Sequence, residues 1–337
     1  MNPRLSRSLL ALALICSLAG CGSSGGKKHP YRGYRPPKPP PAAPPRQDVP
    51  VDPALQSTAR QELSTAAVSN KPLIRAHAIE AMRDSIGAEA ADVIIKGLTD
   101  NDAVVRFAAS MAAGELRLAQ AHDALLVLSD DSDPSVRVGA KFALHRIGDV
   151  RQSHDLEATA RDPSPRTRGN TALALGLLGE PSGARILAPM LFDPSAAVRL
   201  QAAESLWRLG DARGLESVIA SSLSKFPDDR MLAVLALAAP RDRRVLGHVQ
   251  GELTDDYDEV SLIAARAAGM LGSDDGYGVA LKGAHSTDPR QRLLAALALG
   301  AIGRSDSQTI LSILLRDSDQ DVRIAASTAL LQLKPAT

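Results

Sequence analysis

The chain has 337 residues, of which 45% are hydrophobic, only 3% aromatic and 23% charged, with a formal net charge of +1. Residues 1–50 hold eight basic residues and one acid, leaving 31 basic against 37 acidic in the remainder. A net charge of about minus six there repels phosphodiesters, so nucleic acid is not an expected partner.

In chain order, Arg4 and Arg7 precede an apolar run from Leu9 to Leu18. At about ten residues it falls short of the roughly 20 needed to span a bilayer and reads as a secretory signal peptide over residues 1–20. The run closes on Leu18-Ala19-Gly20-Cys21, which resembles the lipobox of bacterial lipoproteins. The resemblance implies cleavage before Cys21, acylation of its thiol, and, with Gly22 rather than an aspartate following, an outer-membrane destination facing the periplasm. The other cysteine, Cys16, leaves with the signal, so the mature chain forms no internal disulfide. Residues 21–52 form a Gly/Pro-rich basic linker, with Lys27, Lys28, Arg32, Arg35 and Lys38 among prolines 36, 37 and 39–41. Such a composition buries no core and favours an extended stalk.

From residue 53 to 337 the chain is periodic. Arg75, Arg106, Arg137, Arg168, Arg199, Arg230, Arg292 and Arg323 fall on a spacing of 31, with Ser261 at the one vacant place. Nine units follow in register without insertion. Seven places after the arginine every unit is apolar, from Met82 to Leu330, and three places after it every unit but one carries alanine. Apolar places at about +3, +7 and +10 have the helical period. Asp102, Asp133, Ser164, Ser195, Asp288 and Asp319 stand four places before the arginine as helix N-caps, and Gly148, Gly179, Gly210, Gly272 and Gly303 follow as stops. Each unit is therefore a helical hairpin. Neither helix buries its apolar face alone, so neighbouring hairpins stack, and the expected fold is all-α: a right-handed superhelical solenoid.

The runs Asp133-Pro134-Ser135-Val136-Arg137 and Asp319-Gln320-Asp321-Val322-Arg323 resemble the HEAT family, specifically its short repeats of the phycobilisome-lyase type. The resemblance covers residues 53–337 and implies the fold far more than any activity. It also implies that the arginines and the aspartates six places before them, among them Asp100, Asp131, Asp162, Asp193 and Asp317, stitch neighbouring repeats. The arginine ladder thus reads as architecture, not as a basic recognition stripe.

Catalysis finds little support. HEAT-like deoxyhypusine hydroxylases are recognised by His-Glu pairs that hold iron, and none occurs here; His122-Asp123 and His154-Asp155 read as solvated polar residues. No metal, cofactor or catalytic residue is expected, and the chain reads as a non-enzyme. Export through a lipoprotein signal also removes it from cytoplasmic chromophores, against a bilin-lyase role.

Protein recognition remains. Met111, Phe142, Leu173, Leu235 and Leu297 lie five places after the arginine, and Leu177 and Met270 nine places after it, on the side the resemblance makes concave. Two readings stand: an apolar groove for a peptide or helix, or side chains buried against one another in a tightly curled superhelix. A second irregularity gathers Phe226 and Tyr257 at cap positions, Ser261 in place of arginine, Pro240, and Arg241, Arg243 and Arg244. It marks either a functional site or a looser bend, and Trp207 in an otherwise glycine-rich column is expected to be buried. The overall expectation is a lipid-anchored scaffold of the cell envelope that recruits a protein or peptide. Its alternatives are an envelope enzyme or accessory subunit, and a structural spacer whose ends self-associate.

Overall fold

The computed structural model describes residues 49–151 and 156–333. The signal segment, Cys21 with its expected acylation, the stalk up to residue 48, and His154-Asp155 lie outside the described residues. Among the described residues there are eighteen α-helices, paired into nine hairpins.

The outer helices are α1 (Pro53–Ala66), α3 (Ala91–Gly97), α5 (His122–Leu128), α7 (Leu156–Thr159), α9 (Gly183–Met190), α11 (Ala212–Ser222), α13 (Leu246–Gly251), α15 (Tyr277–Ala284) and α17 (Gln308–Leu314). The inner helices are α2 (Pro72–Ile86), α4 (Ala103–Leu116), α6 (Pro134–Ile147), α8 (Pro165–Leu178), α10 (Ala196–Arg208), α12 (Pro227–Ala238), α14 (Asp258–Met270), α16 (Pro289–Ile302) and α18 (Gln320–Gln332). Asp102, Asp133, Asp288 and Asp319 accept first-turn backbone N–H bonds at their helix starts, whereas Ser164 and Ser195 hold the cap position without a side-chain bond. The carboxylates of Asp162 and Asp193 take the Ser164 and Ser195 N–H groups, each at 2.8 Å, as those of Asp100, Asp131 and Asp317 take the N–H groups of Asp102, Asp133 and Asp319.

Small residues set how closely inner helices approach. A Cβ on Gly114, Gly176 or Gly300 would stand 2.7 to 2.9 Å from the Cα of Ala143, Ser205 or Ala329 on the next inner helix. Trp207 occupies that column in the fifth repeat and is buried, its indole N–H donating to the Leu237 carbonyl at 3.3 Å. The bulky ring wedges α10 from α12, which are the least intimate neighbours among the inner helices. A looser bend is expected at repeats six and seven; the weakest packing between inner helices instead lies between repeats five and six.

The arginine ladder is a stitch between repeats. Arg75, Arg106, Arg168, Arg230 and Arg292 each make two-pronged bonds to Asp100, Asp131, Asp193, Asp255 and Asp317, the aspartate 25 places on. The third guanidinium nitrogen donates to a carbonyl of the arginine's own loop, as Arg168 does to Asp162 at 2.9 Å. The aspartate six places before one arginine therefore serves the arginine of the preceding repeat. Its bond from Arg168 holds the Asp193 carboxyl below its ordinary range in spite of partial burial.

The solenoid does not stay open. Helix α18 packs on α1 and α2, where Arg323 bonds Glu62 at 2.8 Å and Asp321 meets His77 at 2.9 Å. Ahead of α1, Val49 N–H donates to Ser305 Oγ, Asp52 N–H to Gln308 Oε1, and Gln308 in turn to the Pro50 carbonyl. The last residues assigned to the linker are thus part of the folded body. Nine hairpins close into a ring in which the ninth repeat treats the first as its next neighbour.

Two outcomes test this frame. Arg168→Ala leaves Asp193 with one partner fewer in a largely buried site, and should lower unfolding free energy by about 3 kcal/mol; denaturant melting within error of wild type would contradict the stitch. Glu62→Gln with Asp321→Asn should raise amide hydrogen exchange in α1, α2 and α18 while repeats four to six keep their protection. Uniform exchange across the chain would contradict a local seam.

Candidate functional site

Ring closure decides the fate of the apolar stripe. Met111, Phe142 and Leu235 are at most 1% exposed, and Leu173, Met270 and Leu297 are also buried; Leu177 is half-buried against the same core. An exposed peptide groove along the inner face is therefore not what these residues form. They fill the lumen, because the inner helices turn back on one another and bring distant repeats within contact. Asp84 of the first repeat, Arg266 and Met270 of the seventh, Leu297 of the eighth and Thr328 of the ninth line one cavity of about 20 Å³, room for a single water.

The same columns carry charge that the closure buries. The side chain of Arg83 is 1% exposed and bonds Asp84 at 2.8 Å and Glu115 at 3.1 Å. Glu204 bonds Arg208 at 2.8 Å, and Glu80 and Arg266 are buried as well. Burial works against the Arg83 charge, but Asp84, Glu115 and Glu80 outweigh it and hold its pKa above the ordinary value. Burial pushes the Glu80 carboxyl up, and that of Glu115 up to about 7, even with Arg83 beside them. A network of this kind stabilises only while every partner is present.

The exposed counterpart lies on the rim made by the loops between outer and inner helices. Phe226 and Tyr257 are 57% and 46% exposed at the starts of α12 and α14, with Lys225 and Arg230 over their rings at 4.9 and 5.5 Å. The structure adds two residues that sequence reasoning passed over: Phe192, 86% exposed, and Leu223, 74% exposed. Both stand seven places before the repeat arginine, a column that is polar at Thr99, Asp130, Arg161 and Arg316 and that also holds the exposed Val68 of the first repeat. The four side chains occupy three successive loops of one rim. The arginines singled out with Phe226 and Tyr257 lie elsewhere, in the connection from α12 to α13. Arg244 pairs with Asp242 and sits 5.6 Å over Trp207, Arg243 is exposed, and Arg241 is half-buried with a left-handed backbone.

His122 lies between Asp123 at 3.1 Å and Asp149 at 3.3 Å, and these carboxylates raise its pKa. Among the described residues no three histidine, cysteine or acidic side chains converge as metal ligands.

Glu115 carries a pH signature. Its carboxyl titrates near 4.5 when solvated and near 7 in the ring, so the folded state holds the extra proton between those values. Its contribution to stability is complete below about pH 4.5, falls as pH rises to about 7, and is level above. Glu115→Gln should flatten that part of the stability profile, read by denaturant melts from pH 4.5 to 8; an unchanged slope would exclude Glu115 as its source.

A family model for HEAT repeats matches residues 60–145, 91–164, 153–238 and 248–331. A search of curated protein sequences gave no match. Among solved structures, human deoxyhypusine hydroxylase aligns at 18% identity over 83% of this chain and 96% of its own, with a TM-score of 0.37. The complex of CpcE and CpcF of phycocyanin lyase from a Nostoc species aligns at 23% identity over 70% and 92%, with a TM-score of 0.35. Kap95p, in its complex with RanGDP, aligns at 13% identity over 80% of this chain but 44% of its own, with a TM-score of 0.39. The matched repeats span most of the sequence, and the chain belongs to the HEAT-repeat family.

Proposed function

We propose that this protein is a non-catalytic, lipid-anchored scaffold of the bacterial cell envelope, most consistent with the outer membrane and its periplasmic side. In this reading it recruits a protein partner on the rim of repeats five to seven. The observation that carries it is the exposure of Phe192, Leu223, Phe226 and Tyr257, three of them aromatic, on three successive loops of one rim. Apolar side chains of this size gathered on one face favour protein contact over solvation. Anchoring rests on the residues up to Cys21 and their resemblance to a lipobox, and the basic Gly/Pro-rich stretch would serve as the stalk. A HEAT-repeat scaffold suits protein binding, and some structures of similar fold are complexes with other proteins. An end-to-end spacer is less favoured, because the first and last repeats are occupied by each other.

The test is a crosslinking pull-down from detergent-solubilised envelopes. It compares the wild-type lipoprotein with a chain carrying Phe192→Ser, Leu223→Ser, Phe226→Ser and Tyr257→Ser, which should keep its melting temperature since these side chains are largely solvated. A protein captured by the first and lost by the second supports the reading. Equal capture moves the contact off the rim, and Cys21→Ala retained in the membrane fraction would refute the anchor.

A further inference from the structure

Where the inner helices of repeats two and three end, a cleft of about 470 Å³ opens, lined by Arg117, His145, Arg146, Ile147, Gly148 and Leu178. Its two arginines differ from those of the ladder. Neither guanidinium has a carboxylate or carbonyl partner, and Nε of Arg146 is buried with no acceptor. His145 gives Nε2 to Glu180 at 2.8 Å, while its Nδ1 is buried and unpartnered. Burying the Arg146 Nε–H without an acceptor costs about 1–3 kcal/mol, a cost that the ladder arginines, with their aspartate and carbonyl partners, avoid.

Backbone conformation points the same way. Arg117 ends α4 with φ of 53°, at the repeat position where Gly148, Gly179, Gly210, Gly272 and Gly303 take a left-handed turn and where Arg241, like Arg117, takes it without being glycine. A side chain there costs on the order of 1 kcal/mol relative to glycine. Arg117 and Arg146 also repel each other: burial first, and then Arg117, hold Arg146 below its ordinary pKa. An anion between them would relieve the repulsion and supply the missing acceptors.

We propose that this cleft binds a phosphate group, held by the guanidinium groups of Arg117 and Arg146, with His145 as a wall residue fixed by its Nε2 contact with Glu180. Two guanidinium groups lining one cleft offer several N–H donors, which suit the several oxygens of a tetrahedral oxyanion better than the two of a carboxylate. The cleft exceeds the volume of bare phosphate, and Ile147 and Leu178 supply an apolar wall for a substituent. A phosphomonoester is therefore the ligand class, supplied either by a free small molecule or by a lipid headgroup. The site is separate from the rim and stands without it.

Calorimetry on the full chain in detergent at constant ionic strength, with inorganic phosphate, phenyl phosphate and dihexanoyl phosphatidic acid as titrants, tests it. Arg117→Gly restores the residue the turn favours, so it should fold at least as well as wild type while binding at least tenfold more weakly; Arg146→Gln should weaken binding similarly. Tight binding of phenyl phosphate supports the free-molecule source, and tenfold preference for phosphatidic acid supports the headgroup. Saturable binding of none of the three, or affinities unchanged in both folded variants, would overturn the proposal.

Discussion

The ring hangs on one interaction repeated around it: an arginine at the first turn of an inner helix gripping an aspartate in the next loop. The aspartate does three things at once. Asp131 takes both prongs of Arg106, accepts the Asp133 N–H at 2.8 Å, and so sets the loop from which α6 departs. The bond thereby fixes the angle between successive hairpins as well as their contact. At Arg323, in the ninth hairpin, Glu62 of the first outer helix supplies the carboxylate. Closure reuses the device that builds the stack.

That closure turns the inner face inside out in chemical terms. In an open superhelix the inner columns face solvent, and charge there is inexpensive. Here the same columns pack against one another, so Arg83, Glu115, Glu204, Arg208 and Arg266 are held in a protein interior. Buried ion networks seldom add net stability over apolar packing, yet they oppose alternative registers, since any slip between repeats leaves a charge alone. In this ring Arg83 joins the first repeat to Glu115 of the second, and the Arg208 charge of the fifth repeat is also felt at Glu115.

Local features were legible in the sequence because each is written in adjacent residues. Thirty-one-residue spacing counted the hairpins, and Asp133-Pro134 and Asp319 marked helix starts that the structure reproduces. Curvature was not legible in the same way, since it is a sum of small angles set by pairs such as Gly114 against Ala143 or by the Trp207 wedge. The partner side of the stripe depended on that sum. One signal was nonetheless present: the column holding Met111 and Phe142 also holds Glu80, Glu204 and Arg266, a mixture suited to a filled lumen with internal ion pairs. Phe192 and Leu223 lie in loops, outside the helical period, in a column of mixed character that also holds Val68, so periodicity does not mark them. Arg117 and Arg146 became distinctive only once their lack of partners could be seen.

The residues just ahead of α1 have a mechanical consequence. Val49, Pro50 and Asp52 are bonded to Ser305 and Gln308 of the last repeat, so tension arriving along the preceding chain enters the ring at its seam. An open array pulled from one end peels helix by helix, each hairpin yielding alone. Here the load divides between the first and ninth repeats, and the hydrogen bonds at the junction are strained together rather than in sequence. A tethered ring of this kind would bear pulling as a buckle does, with resistance concentrated at the join.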